Sequence, residues 1–357
     1  MNKNVIKITF VLIGTIIGAG FASGKEIFLF FSIYGNLGIL GIFISNILTC
    51  LIIYKTMKLI NLFNLDSYDS LVKVLSNNNI VNNSFSIIIN IFVYLSFIIM
   101  ISGFGAFFYE TYNINNFITS IIISFICFYL FNNNINNIVK INILLIPFLI
   151  IIIFIFSIKK LCITLNYISF NQLFYNINWL LSSILYSSYN SILLIPVILT
   201  LHKLIDNLNS KNLKCISFFI FSILVVLSIS IINLLFSIDN NIIKNIEIPI
   251  LYISKNMGSI YYFLYGFIII IAIFTSAIST GYSCVNIFKN NIYFKYISFF
   301  ICFSSLLFSN INFSSLVEIL YPIFGLLGII QILYLLLKKT PKTDINIIEN
   351  RRKLWNF

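Results

Sequence analysis

Charge is what this sequence has least of. Only 9% of its 357 residues are Asp, Glu, Lys or Arg, against about 25% in an ordinary soluble domain. A folded chain of this length exposes more surface than so few ionisable groups can solvate, which excludes a water-soluble globule. Histidine occurs once, as His202, and there is no HExxH or GxSxG, so nothing is laid out for zinc-dependent or serine hydrolysis and an enzyme is not expected. The six cysteines (Cys50, Cys127, Cys162, Cys215, Cys284 and Cys302) are widely spaced, with no CxxC and no pairing with histidine. They read as small core residues, neither a disulfide framework nor a metal site.

Apolar residues are abundant, at 60%. At about 20 residues per helical span, this is enough to cross a bilayer about ten times. The net charge of +12 then has a nearer explanation than nucleic acid, namely retention of Lys and Arg on the cytoplasmic side of membrane helices, and a polyanion partner is disfavoured. Heavy use of Ile, Asn, Phe, Lys and Tyr fits an AT-rich coding genome, so a single Asn carries little information.

Apolar segments fall at about 5–33, 38–60, 84–109, 114–131, 141–158, 175–201, 213–236, 259–287, 296–310 and 312–337. They are continuous, where a barrel would need alternation over about ten residues, so the fold class is an all-α integral membrane protein. With the N-terminus inside, ten spans leave only Lys25, Lys159, Lys160, Lys244 and Lys255 of the 22 basic residues outside. Both termini are then cytoplasmic, and a miscounted helix would destroy the asymmetry. Lys3 and Lys7 ahead of an apolar run, with Ala19-Gly20-Phe21-Ala22 as a small-residue site, resemble a cleaved leader. No polar mature start follows, however, since the apolar run resumes at 27–31. The longest polar stretches, 61–83, 237–258 and 340–357, are of loop or tail length.

The informative stretch is Gly14-Thr15-Ile16-Ile17-Gly18-Ala19-Gly20-Phe21-Ala22-Ser23-Gly24-Lys25-Glu26. As one straight helix, 5–34 would measure roughly 45 Å against a hydrocarbon core of about 30 Å. The glycines weaken the helix where they cluster, and broken backbone at membrane depth is tolerated only where it is buried or lines a cavity. Alternatively, Gly14/Gly18 and Gly20/Gly24 are small-xxx-small faces for close helix packing. The charged pair Lys25-Glu26 tips the balance towards a cavity, because charges facing lipid are costly. A dinucleotide fingerprint and a P-loop are both approached here, but their spacing and flanking residues are wrong.

Two further polar clusters interrupt apolar spans. In the sixth segment, Tyr186-Ser187-Ser188-Tyr189-Asn190-Ser191 is either a second break, five helices on from the first as an inverted repeat requires, or a set of side chains bonded back to carbonyls one turn earlier. In the eighth, Thr275, Ser276 and Ser279 lie within one helical turn. These hydroxyls could serve a hard cation such as Na⁺, or packing and back-bonding. Glu318 near the start of the last span is a candidate for proton or cation coupling, and Glu110 closes the third at a helix end.

The stretch from Gly14 to Ile27, followed by Tyr34-Gly35 and Gly38, resembles the opening signature of the YkvI-like bacterial membrane proteins. That family in turn resembles the amino acid–polyamine–organocation superfamily of secondary transporters, with the bacterial leucine-transporter fold. The resemblance implies two inverted five-helix repeats (1–160 and 161–340) before a basic cytoplasmic tail (341–357), broken first and sixth helices, and a midplane solute site. It implies a sodium site made by the carbonyls of Gly14, Ile17 and Ala272 with the hydroxyls of Thr275 and Ser276. Solute contacts would come from Gly18, Ala19, Gly20 and Phe21 and from Ser187, Ser188, Tyr189 and Asn190. Lys25, Glu26 and Glu318 are left as gate or coupling candidates. Lys25 lies close to, but not on, the outer-gate arginine position of the sodium-symporter branch, and the sixth segment lacks the usual glycine. The expected function is ion-coupled symport of a small organic solute such as an amino acid across the bacterial plasma membrane, with sodium as coupling ion and no cofactor. A channel, a lipid-handling protein and a non-transporting sensor or partner subunit are the alternatives.

Overall fold

A helix inside a bilayer satisfies its backbone internally, and the chain uses almost nothing else. The computed structural model describes residues 3–76, 78–132, 135–164, 178–206, 208–289 and 291–338; the 341–357 tail lies outside them. Sixteen α-helices are found among the described residues, with no strand. The first apolar segment is split into α1 (Lys3–Ile16), α2 (Ala19–Ser23) and α3 (Lys25–Phe30). Then come α4 (Asn36–Phe63), α5 (Tyr68–Leu75), α6 (Asn79–Tyr112), α7 (Asn116–Phe131) and α8 (Ile135–Thr164). The remainder is α9 (Asn178–Thr200), α10 (His202–Ile205), α11 (Ser210–Leu235), α12 (Asn240–Lys244), α13 (Pro249–Met257), α14 (Ser259–Asn286), α15 (Phe294–Ser304) and α16 (Phe313–Leu337).

Seven of these, α4, α6, α8, α9, α11, α14 and α16, are long and apolar enough to cross a membrane. The other three apolar segments are the interrupted first one and two shorter helical stretches, 116–131 and 294–308. Large apolar side chains such as Phe125, Leu144, Phe218, Phe263 and Phe300 stand exposed on the outside. So much apolar surface is costly in water and neutral against lipid tails.

Many polar residues turn inward and bond to carbonyls of their own helices. On α4, for instance, Ser45, Asn46, Thr49 and Thr56 all donate to carbonyls three or four residues back. The first segment lies at the centre: α1 packs against α8, α9, α11 and α14. Around it, α4 packs on α9 and α11, α6 on α7, α14 and α16, α8 on α11 and α14, and α16 on α9 and α4.

The expected break in the sixth segment is absent. α9 runs unbroken through 187–190. Its hydroxyls and amide bond back along the helix, Ser187 and Ser188 to the Ile184 carbonyl (2.9 and 2.6 Å), Asn190 to Tyr186 (3.0 Å) and Ser191 to Ser188 (2.7 Å). With no glycine to weaken the backbone, side-chain back-bonding decorates the ladder without opening it.

α16 and α9 approach so closely that their backbones touch. A Cβ on Gly328 would stand 2.2 Å from the Ser188 carbonyl oxygen, and one on Gly325 would stand 2.9 Å from that of Leu185. Gly328→Ala is expected to destabilise the protein by about 2 kcal/mol, as overpacking does. Gly266→Ala, whose Cβ meets only the Phe107 ring at 3.2 Å, should change the melting temperature in detergent far less. Equal melting temperatures for the two variants would contradict the close approach.

Candidate functional site

The first segment is interrupted twice. At the first break, the Gly18 N–H leaves the i→i−4 ladder and bonds to the Ile16 carbonyl (2.9 Å), and the ladder restarts with the Ala22 N–H on Gly18 (3.0 Å). The carbonyls of Gly14 and Ile17 thereby fall outside the regular rungs. The Ala19 N–H has only the Met100 thioether at 3.4 Å, a weak acceptor. At the second break Gly24 adopts φ +83°, a left-handed conformation that L side chains disfavour by about 1–2 kcal/mol. The carbonyls released there are taken by Tyr265, donating to Ala22 (2.7 Å), and by Ser23, donating to Gly20 (3.0 Å).

Both readings of the glycine cluster therefore apply. The helix is broken, and the glycines also admit close neighbours: a Cβ on Gly14 would stand 2.2 Å from Asn142 Oδ1, and one on Gly18 would stand 2.9 Å from Ser276 Oγ.

The residues named as a sodium site are all buried and lie where α14 crosses the first break. Ser276 reaches the carbonyl of Thr15 at 3.4 Å, between the two first-helix carbonyls expected. Thr275 donates to Ile271 (2.9 Å) and Ala272 (3.2 Å). Asn142 on α8 is an addition that sequence reading missed. Its amide nitrogen bonds Ile138 (3.0 Å), while the buried Oδ1 has no hydrogen-bond partner and faces Gly14. In an asparagine-rich chain, composition gives no signal that would single it out.

Of the solute-contact residues, Gly18, Ala19, Gly20 and Phe21 line the first break. Ser187, Ser188 and Asn190 bond to their own helix, whereas Tyr189 reaches across to the first segment and donates to the Glu26 carboxyl.

The charged pair is fully buried and its members diverge. Lys25 is 0% exposed. Its ammonium is held by the Glu318 carboxylate (3.0 Å) and the carbonyls of Lys244 (2.8 Å) and Ile246 (3.4 Å), three acceptors for three protons. Glu318 itself is 44% exposed, so the pair closes the bundle at one end. Glu247, in the connection between α12 and α13, faces the same lysine. Burial raises its carboxyl above the usual range, and the Lys25 charge opposes that rise.

Glu26, 1% exposed, points inward instead. Tyr189 and Tyr186 hydrogen-bond it, and Gly20 makes room for it, since a Cβ there would stand 2.9 Å from Glu26 Oε2 and 3.2 Å from the Tyr321 ring. Over it the rings are closed. Tyr189 stacks on Tyr321 (4.6 Å, 14°) and on Phe30 (5.7 Å, 19°), with Tyr186 edge-on to Phe30 and Tyr189. This aromatic cover joins residues about 290 positions apart, a tertiary pairing that motif spacing cannot disclose.

The opposite end of the bundle is hollow. A cavity of about 570 Å³ is lined by residues that include Asp66, Asp69, Asn90, His202, Lys203 and Lys289. It lies at the end where α1 begins, for Asn4 bonds the carbonyl of Leu204 (3.5 Å). The cavity also reaches Pro196, seven residues from Tyr189 and so roughly 10 Å along α9.

Buried charge, apolar exterior and long helices together define a multi-pass helical membrane protein. The chain is similar to the uncharacterised membrane protein YkvI of Bacillus subtilis (strain 168), 26% identical over 344 residues, covering 94% of this chain and 96% of the relative. No family model matches the chain.

The latch should respond unequally to its two halves. Glu318→Ala leaves a buried ammonium without its counter-charge and is expected to cost about 3 kcal/mol. Lys25→Met leaves a carboxylate that already reaches water, with two carbonyls unmet, and is expected to cost about 1–2 kcal/mol. Thermal melting of the two variants measures the order, and a smaller loss in Glu318→Ala contradicts it.

Proposed function

We propose that the chain is a secondary active transporter that moves a small organic solute, such as an amino acid, by alternating access coupled to Na⁺, and that it catalyses no chemical reaction. One observation carries this reading: an interrupted helix at the centre of a lipid-facing bundle, with Lys25 and Glu26 fully buried beside it. Such backbone and charge are costly at membrane depth unless they serve a ligand path.

The packing supports two related five-segment halves. Taking the interrupted segment as the first and α4, α6, α7, α8, α9, α11, α14, α15 and α16 as the rest, neighbours recur on a shift of five. The second-on-sixth contact has its counterpart in seventh-on-first, tenth-on-sixth in fifth-on-first, eighth-on-fifth in third-on-tenth, and third-on-fourth in eighth-on-ninth. Contacts first-on-sixth, second-on-seventh, third-on-eighth and fourth-on-ninth map onto themselves. Ten spans related this way are the architecture of an inverted-repeat transporter. Unlike that pattern in full, among the described residues the first segment is broken and α9 is not, so α9 contributes side chains such as Tyr189 and no free backbone.

In this reading the carbonyls of Gly14, Ile17 and Ala272 and the hydroxyls of Thr275 and Ser276 hold Na⁺, with the unengaged oxygen of Asn142 close by; hard cations favour such uncharged oxygens. The solute lies against Gly18, Ala19, Gly20 and Phe21. The Lys25–Glu318 latch and the ring cover close one side while the cavity lies on the other. Lysine placement makes that other side cytoplasmic, with both termini there, in a bacterial cell membrane. Coupling requires that ion and solute favour the same conformation, since a ligand indifferent to two states shifts neither.

Uptake into proteoliposomes across an amino-acid panel, with and without an inward Na⁺ gradient, is the test. Saturable, Na⁺-stimulated uptake is expected. The Thr275→Ala/Ser276→Ala double variant should lose about tenfold of the Na⁺ affinity, equivalent to about 1.4 kcal/mol. Full Na⁺ dependence in that variant removes the ion site, and unsaturable flux indifferent to Na⁺ marks a channel instead.

A further inference from the structure

Glu26 is left over by the sodium reading. It sits on α3, against which α2, α9, α11, α16 and the short 3₁₀ turn at 32–34 pack. The titratable groups facing it are Tyr186 and Tyr189 from α9 and Tyr321 from α16. α2 offers none, and α11 presents Leu235 at the adjacent Gly24. Lys25, next in the chain, turns to Glu318, with Glu247 also facing that lysine. Among the described residues, then, the carboxyl has hydroxyl partners and no cation.

An ionised carboxylate buried without a counter-charge costs several kcal/mol even after relaxation. A positive occupant removes that cost, and here the occupant has to be small. Gly20 lies against one carboxyl oxygen, Tyr321 is close behind, and Tyr189, which hydrogen-bonds the carboxyl, stacks on both Phe30 and Tyr321, a close setting that favours the smallest cation. We propose that Glu26 is a proton-binding site, loaded while the tyrosine cover is shut and discharged to water when the cover parts. On discharge, the carboxyl O–H bond breaks and the proton passes to solvent, leaving a carboxylate that water or the cationic group of a solute then solvates.

The covalent layout ties this event to the gate. Glu26 follows directly on Lys25, and both begin a six-residue helix that starts at the Gly24 turn. Movement that parts Lys25 from Glu318 therefore also shifts Glu26 relative to the rings on α9 and α16. The role in coupling rests on the transport reading above; the titration of Glu26 does not.

Infrared difference spectra of the purified full chain in lipid nanodiscs, recorded between neutral and alkaline pH so that ordinary carboxyls stay ionised throughout, test the site. The wild type is expected to show the C=O stretch of a protonated carboxyl that disappears as the pH is raised. Glu26→Gln should lack that band, Glu318→Gln should keep it, and Glu26→Asp should keep it at a shifted frequency. Should Glu26→Gln fail to fold, the shift in Glu26→Asp makes the assignment alone. A band that persists in Glu26→Gln, fails to shift in Glu26→Asp, is missing from the wild type, or survives unchanged to the alkaline limit of the folded protein overturns the proposal. Absence of any solute uptake would count against transport and leave this spectrum readable, so the two failures are distinguishable.

Discussion

Everything central to this molecule follows from the need to satisfy backbone N–H and C=O groups where there is no water. Unbroken helices meet that need automatically, and the chain departs from them conspicuously in its first segment. There each released group has to be accounted for. Tyr265, Ser23 and Ser276 take carbonyls, and Met100 offers a weak partner to one N–H. The Gly14 and Ile17 carbonyls stay outside the regular rungs, and the partnerless oxygen of Asn142 faces Gly14.

The two adjacent charges divide the work of the same region. Lys25 points to one end of the bundle and is fully matched, by one carboxylate and two carbonyls. Glu26 points into the bundle and is matched by hydroxyls alone. One residue is a fastening and the other an uncompensated group under an aromatic cover. A single peptide bond separates them at the start of α3.

Much of the fold was legible from residue order. Run length and continuity located the apolar segments, because burial in lipid demands them regardless of tertiary detail. The break in the first segment was legible for a physical reason as well: four glycines weaken a helix too long to fit the bilayer straight. Reading an equal break into the sixth segment failed because serine and asparagine there have a cheaper option, bonding back to Ile184, Tyr186 and Ser188. The candidate residues Lys25, Glu26 and Glu318 were visible as charges out of place, but not their pairing. The link from Lys25 to Glu318 and the cover of Tyr189 and Tyr321 over Glu26 join distant parts of the chain. They exist only once α3, α9 and α16 are assembled.

The backbone contact between α9 and α16 has one more implication. Gly325 and Gly328 hold α16 against the main chain at Leu185 and Ser188 over a full turn, so sliding one past the other would drive Cα atoms into carbonyl oxygens. The two helices are thus a single lever arm, carrying Tyr189, Tyr321 and Glu318 together, set against the left-handed turn at Gly24.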